Sequence, residues 1–282
     1  MAKQSVRRVL PTKKPVGKKT VDKQPTEKAT PSPEIIVLGK KMSNKFKLYL
    51  ANTRTTSVSL VATLPLLMLY NLGLMIPGHS FVNRLDFLSG FFDAKLRLWG
   101  MLGLNFALGI ISIISLIWLV KKRKFALSHF AFLIIEGTIL GLIMGMTIPW
   151  ILGKALSMSA AGGPSYSFAD VLAISAGAGY WEELVFRLIL VGGSLFFAAK
   201  ILKRQGKNSK WLVLIGGAAV VVSALLFSLV HHIGAQDLPI AYEFWYRVVA
   251  GVIFGAIFLA RGFASAAYTH FMYDVLVMLF WK

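Results

Sequence analysis

Seven apolar stretches, each close to the length that crosses a lipid bilayer, follow one another after residue 56 and leave this chain few ways to fold. They run from Ser57 to Ile76, Leu98 to Val120, Phe125 to Leu152, Val171 to Ala199, Trp211 to Val230, Phe244 to Ala260 and Ala264 to Phe280. A hydrocarbon core about 30 Å thick needs roughly 20 helical residues, so each stretch reads as a membrane span. The expected fold is all-α, a polytopic transmembrane bundle of seven to eight helices. The count is soft at one place, because the last two stretches are short and only Arg261 to Phe263 separates them.

Composition agrees. Of 282 residues, 56% are hydrophobic and 15% charged, whereas soluble domains run near half apolar and a quarter charged. An ordinary cytosolic enzyme is thereby excluded as the first reading. The absence of cysteine excludes a disulfide framework, a thiolate nucleophile and a Cys-ligated zinc site.

The net charge of +19 would suggest nucleic acid in a soluble protein. Its distribution points elsewhere. Residues 1 to 50 hold 13 of the 31 Lys and Arg and 3 of the 12 acids, a net +10 that leaves +9 for the other 232 residues. Five of the ten prolines lie before residue 43, among lysines and threonines with little to bury. Such a segment cannot offset its ordering entropy and is expected to be a disordered basic arm. It has no apolar core of a signal peptide. Its expected role is to set topology and attract anionic lipid, with no nucleic-acid partner.

Short basic loops mark the cytoplasmic side of a membrane protein. The arm, the cluster Lys121 to Lys124, the Lys200 to Lys210 loop and Arg261 fall on one side of the alternating spans. The loops Pro77 to Lys95, Lys154 to Asp170 and His232 to Glu243 fall on the other and are less basic. The N-terminus is therefore expected in the cytoplasm, and a bacterial cytoplasmic membrane is the expected location. Three regions follow: the arm (1–50), N-terminal spans (51–165) and a C-terminal core (166–282).

Ionisable groups inside a span are costly and mark pairing or function. The fourth span holds Glu182, Glu183 and Arg187 within six residues. On a helix Glu183 and Arg187 are i,i+4 neighbours, while Glu182 points about 100° away. One carboxylate can be neutralised by the arginine and the other left free as a general base. The fifth span ends with Phe227, His231 and His232, and the seventh carries His270 and Asp274, again i,i+4. A Glu beside a His can bind and deprotonate water, and a further His can donate to an oxyanion. Those are the parts that hydrolyse an amide. A buried ion network that locks helices together would use the same residue types.

In these residues the chain resembles the CPBP family, the CAAX protease and bacteriocin-processing (Abi) membrane proteins that include the type II CAAX prenyl endopeptidases. The likeness lies in Glu182-Glu183-x-x-x-Arg187, in Phe227-x-x-x-His231 and in His270-x-x-x-Asp274, with Gly251 to Gly255 and Arg261-Gly262 before the last, and it covers about residues 165 to 282. It implies a glutamate-dependent intramembrane endopeptidase acting on a membrane-bound or lipidated polypeptide in the bilayer. On that resemblance Glu182 activates water with His231, Glu183 and Arg187 orient the site, and His270 and Asp274 bind the water or stabilise the tetrahedral intermediate. No cofactor is expected, since the zinc helix His-Glu-x-x-His is lacking; a divalent metal such as zinc on Glu182, His231 and His270 is the secondary reading.

Two other classes use such groups. One is a non-catalytic immunity or scaffold protein of the same family, and the other a proton-coupled transporter. Three residues are expected to stand apart from the chemistry. His232 points about 100° from His231, Glu136 in the third span is expected to pair with Arg187 or a backbone donor, and Glu243 pairs with Arg247 at i,i+4. Depth is the unsettled point. At 1.5 Å per residue, Glu182 lies roughly 27 Å from Lys200 and His231 roughly 31 Å from Lys210, yet His270 only about 13 Å from Arg261. Either the last helix tilts strongly or the segment around Gly262 is re-entrant.

Overall fold

A computed structural model of the chain describes residues 44–76, 83, 85–122, 124–153, 166–204, 210–232 and 241–280, with side chains described in those ranges except at 87–98 and 241. The described residues are helical, with no strand among them. A short helix, α1 (44–52), precedes seven long ones: α2 (Thr56–Leu74), α3 (Phe87–Lys121), α4 (Ser128–Ile151), α5 (Phe168–Arg204), α6 (Lys210–His232), α7 (Ala241–Arg261) and α8 (Phe263–Phe280). All seven are long and apolar enough to cross a membrane. The basic arm up to residue 43 lies outside the described residues. Residues 44–50, counted with that arm above, belong to α1.

The elements follow from local chemistry. A capping box starts α5: the Ser167 side chain accepts from the Asp170 amide, and the Asp170 carboxylate accepts from the Ser167 amide. The helix then runs 37 residues, about 55 Å at 1.5 Å each. It is not α-helical throughout. Two π-helical segments, Ala178–Glu182 and Leu184–Gly192, flank Glu183. Large apolar side chains of α3 such as Trp99, Phe106, Ile113 and Ile114 stay exposed in the protein alone, as expected of a surface covered by lipid.

The centre of the bundle is α8. It packs against α2, α4, α5 and α7 and buries eleven residues from Phe263 to Val275. Contact with α5 is close: a Cβ on Gly179 would stand 2.6 Å from the Ala267 carbonyl oxygen and 3.1 Å from the Phe271 Cβ. Only glycine lets the two backbones approach so far. Small residues at such crossings are how membrane helices gain packing where no hydrophobic drive exists between them.

The joint between α7 and α8 is one residue long. Gly262 has φ +92°, a conformation that side-chain-bearing residues avoid, and its α-carbon faces the backbone of Thr53 and Arg54. Next to it Arg261 holds Glu136 of α4, with Nε 2.7 Å from Oε1 and Nη2 3.1 Å from Oε2. The same carboxylate accepts from Ser265 at 3.2 Å and from the Tyr49 hydroxyl. Burial, with Glu136 alongside, pushes the Tyr49 phenol above its ordinary range and keeps it a neutral donor. Arg261 also donates to the Leu50 carbonyl at 3.2 Å. Glu136 therefore pairs with Arg261 and not with Arg187, a correction to the sequence reading. Helical periodicity reports neighbours on one helix and says nothing of which distant helix lies opposite.

That pair also removes the depth conflict. Arg261 served above as a marker of the membrane surface, but its side chain is one fifth exposed and sits in an ion pair between helices. His270 Nε2 lies 3.8 Å from Glu182 Oε2, so the two stand at one level of the bundle.

Candidate functional site

Six ionisable side chains from three spans meet inside the bundle. Glu182, Glu183 and Arg187 come from α5, His231 from α6, and His270 and Asp274 from α8. Glu182 Oε2 lies 3.7 Å from His231 Nε2 and 3.8 Å from His270 Nε2. His270 Nε2 is in turn 3.6 Å from Asp274 Oδ2, and its Nδ1 is 2.8 Å from Glu183 Oε1. The residues of the two motif spacings, Glu-Glu-x-x-x-Arg and His-x-x-x-Asp, thus meet in one cluster.

The two glutamates have different surroundings. Glu183 is fully buried, and its Oε1 forms an ion pair with Arg187 Nη1 at 3.2 Å and accepts from His270 Nδ1 at 2.8 Å. Arg187, also fully buried, donates from Nη2 to the Gly251 carbonyl of α7 at 3.3 Å. Its guanidinium carbon stands 4.7 Å from the Phe227 ring centre and 5.3 Å from that of Phe254, a cation–π setting. The i,i+4 pairing of Glu183 with Arg187 holds although the segment between them is π-helical. A third tie, Ser223 Oγ to the Phe186 carbonyl at 2.7 Å, binds that segment to α6. Among the described residues, no arginine pairs with Glu182. Glu182 faces two imidazoles with one oxygen.

The Phe227-x-x-x-His231 spacing has a physical content. The Phe227 carbonyl, one turn back, can only accept, so His231 Nδ1 at 2.8 Å must carry the proton. Nε2, the other ring nitrogen, faces Glu182 Oε2 at 3.7 Å. The Phe227 ring packs 4.8 Å from His231 and 6.0 Å from His270, and Phe254 stacks on His270 at 4.4 Å. His231 and Asp274 side chains are 29% and 25% exposed against 9% for Glu182, so the cluster opens on their side.

His232 turns away. Its Nδ1 donates to the Ser228 carbonyl at 2.8 Å and its ring lies against Phe244. Glu243 and Arg247 form their i,i+4 pair at 3.4 Å near the start of α7. Neither touches the cluster.

One contact was invisible in the sequence. Asn83, in the connection between α2 and α3, donates from Nδ2 to Glu182 Oε1 at 2.8 Å. A lone asparagine in a polar loop, 99 residues away along the chain, carries no spacing or motif that would single it out.

Seven helices long and apolar enough to cross a bilayer mark an integral membrane protein, and a carboxylate–imidazole cluster is held between three of them. Residues 164–276, which contain all six clustered side chains, match the family described as type II CAAX prenyl endopeptidase Rce1-like. This match agrees with the resemblance to the CPBP family seen in the sequence. No curated protein and no solved structure matches the chain. Among the described residues, no set of three or more His, Asp and Glu side chains is arranged to hold a metal ion.

Proposed function

We propose that the protein hydrolyses a peptide bond of a membrane-associated polypeptide, with water activated by Glu182 and His231. The observation that carries this reading is the single oxygen, Glu182 Oε2, set under 4 Å from both His231 Nε2 and His270 Nε2. One water can sit within hydrogen-bond reach of that oxygen and of His231, both of which accept a proton. The water oxygen then attacks the scissile carbonyl carbon while its proton passes to Glu182. His270, in its charged form held at Nδ1 by Glu183, turns an N–H toward the oxyanion of the tetrahedral intermediate. Collapse breaks the C–N bond and Glu182 returns the proton to the leaving amine, giving a new carboxylic acid and a new amine.

Supporting roles divide accordingly. Arg187 neutralises Glu183 so that Glu183 can orient His270. Asp274 sits against His270 Nε2 from the other side and sets the direction of that ring. No step runs through a metal. The substrate is expected to be bilayer-anchored, the N-terminus cytoplasmic and the membrane a bacterial cytoplasmic one.

The test is processing in proteoliposomes of polypeptides with one apolar anchor, with and without a prenylated C-terminal cysteine. Wild type is expected to cleave at least one class, and Glu182→Ala and His231→Ala to cleave neither. Equal processing by both variants would sink the assignment.

A further inference from the structure

We propose that Asn83 is a positioning residue for Glu182, one that joins a site whose other described members lie within residues 164–276. The inference rests on the reading of Glu182 as the base.

The geometry is specific. Asn83 Nδ2 donates to Glu182 Oε1 at 2.8 Å, while the two imidazoles face the other oxygen, Oε2. A carboxylate with free rotation about its last bond exchanges its oxygens. One anchored by an amide on Oε1 keeps Oε2 toward the water and the histidines. Asn83 is itself fixed at two points: its amide N–H donates to the Tyr70 hydroxyl of α2 at 2.9 Å, and its Oδ1 accepts from the Leu85 amide at 3.0 Å. The second contact is a local turn in which the side chain binds the backbone two residues on. It orients the amide so that the –NH2 side points at the glutamate. Asn83 is half-buried, and residues 164–276 do not include it.

Among the described residues, the charged and titratable groups around Glu182 come from its own helix (Glu183, Arg187), from α6 (His231) and from α8 (His270, Asp274). None of them touches Oε1 at a described hydrogen-bond distance. Asn83 therefore has a task the others do not share.

The turn supplies the control. In Asn83→Ser a hydroxyl can still accept from the Leu85 amide but cannot reach Glu182. In Asn83→Asp the turn acceptor is kept, the donor is lost and a like charge is added. Both are measured in proteoliposomes on an anchored reporter polypeptide that wild type cleaves, beside Glu182→Gln. Asn83→Ser is expected to lower kcat about tenfold with KM within threefold, and Asn83→Asp to lower it further, with thermal unfolding of both close to wild type. A merely structural turn residue would tolerate both. A second readout needs no turnover: in isotope-edited infrared spectra of protein with 13C-labelled glutamate, the carboxylate band that Glu182→Gln removes should shift in Asn83→Ser. An unmoved band, or kcat within twofold of wild type in the folded Ser variant, overturns the proposal. An active Glu182→Gln would instead overturn the assignment of the base, whatever Asn83 does.

Discussion

Removing Arg187 alone should damage this protein more than removing it together with its partner. Arg187 and Glu183 are both fully buried and joined at 3.2 Å, so Arg187→Met leaves a carboxylate uncompensated in the interior. Breaking a buried pair from one side costs roughly 3–5 kcal/mol, whereas replacing both members by apolar groups of similar size is often near neutral. Two features of the structure move the estimate. The contact of His270 Nδ1 with Glu183 at 2.8 Å survives the substitution and offsets part of the loss; a charge-assisted hydrogen bond is worth about 1.5–3 kcal/mol. Against that, Met gives up the guanidinium's contacts with Phe227 and Phe254, about 0.5–2 kcal/mol. The expected cost is about 3 kcal/mol for the single variant, which is a factor of roughly 150 in the folding equilibrium at 1.36 kcal/mol per decade. Glu183→Gln combined with Arg187→Met should recover at least half of it. Reversible denaturation in mixed detergent micelles, followed by tryptophan fluorescence, reads both. A single variant within about 1 kcal/mol of wild type, or a double variant worse than the single, would refute the view that Arg187 exists to neutralise Glu183.

Other outcomes follow from the same geometry. Gly179→Ala inserts a methyl 2.6 Å from the Ala267 carbonyl; overpacking of this kind costs about 1–3 kcal/mol, and processing should fall further than stability because α5 and α8 carry the two halves of the site. His232→Ala is expected to process substrate like wild type and His231→Ala not at all, since of these two neighbours His231 faces Glu182 and His232 turns away; the same proteoliposome assay separates them. Tyr49→Phe removes a donor to Glu136 at the α1–α4–α8 joint and should lower stability by roughly 1 kcal/mol with kcat unchanged, measured as a shift of the denaturation midpoint beside initial rates. Dialysis against a strong chelator should leave activity intact, and loss restored by zinc would return the metal reading.

Much of this was legible beforehand, for identifiable reasons. Span lengths are set by bilayer thickness, so seven of them could be read from apolar runs. Charges inside spans are costly enough that Glu182, Glu183, Arg187, His270 and Asp274 stood out, and i,i+4 spacing joined Glu183 with Arg187 and His270 with Asp274. What resisted was everything between helices. Glu136 was matched with the wrong arginine because a one-dimensional pattern cannot say that α4 lies along α8 at Arg261. Arg261 was taken for a surface charge because a partly buried ion pair and a solvated loop look alike in sequence. The π-helical turns of α5 leave no mark on an apolar run, and Asn83 has a role only because α2 delivers the following loop to α5.

The central claim is that Glu182 acts as a base toward water, and Glu182→Gln tests it with the smallest change of shape. Glutamine can still accept from Asn83 through its carbonyl oxygen, so the variant should fold as wild type does. General-base catalysis contributes about 10²–10⁴-fold, and kcat for cleavage of the anchored reporter should fall by at least about 100-fold at the lower bound. A folded Glu182→Gln protein that cleaves within tenfold of wild type would contradict the account.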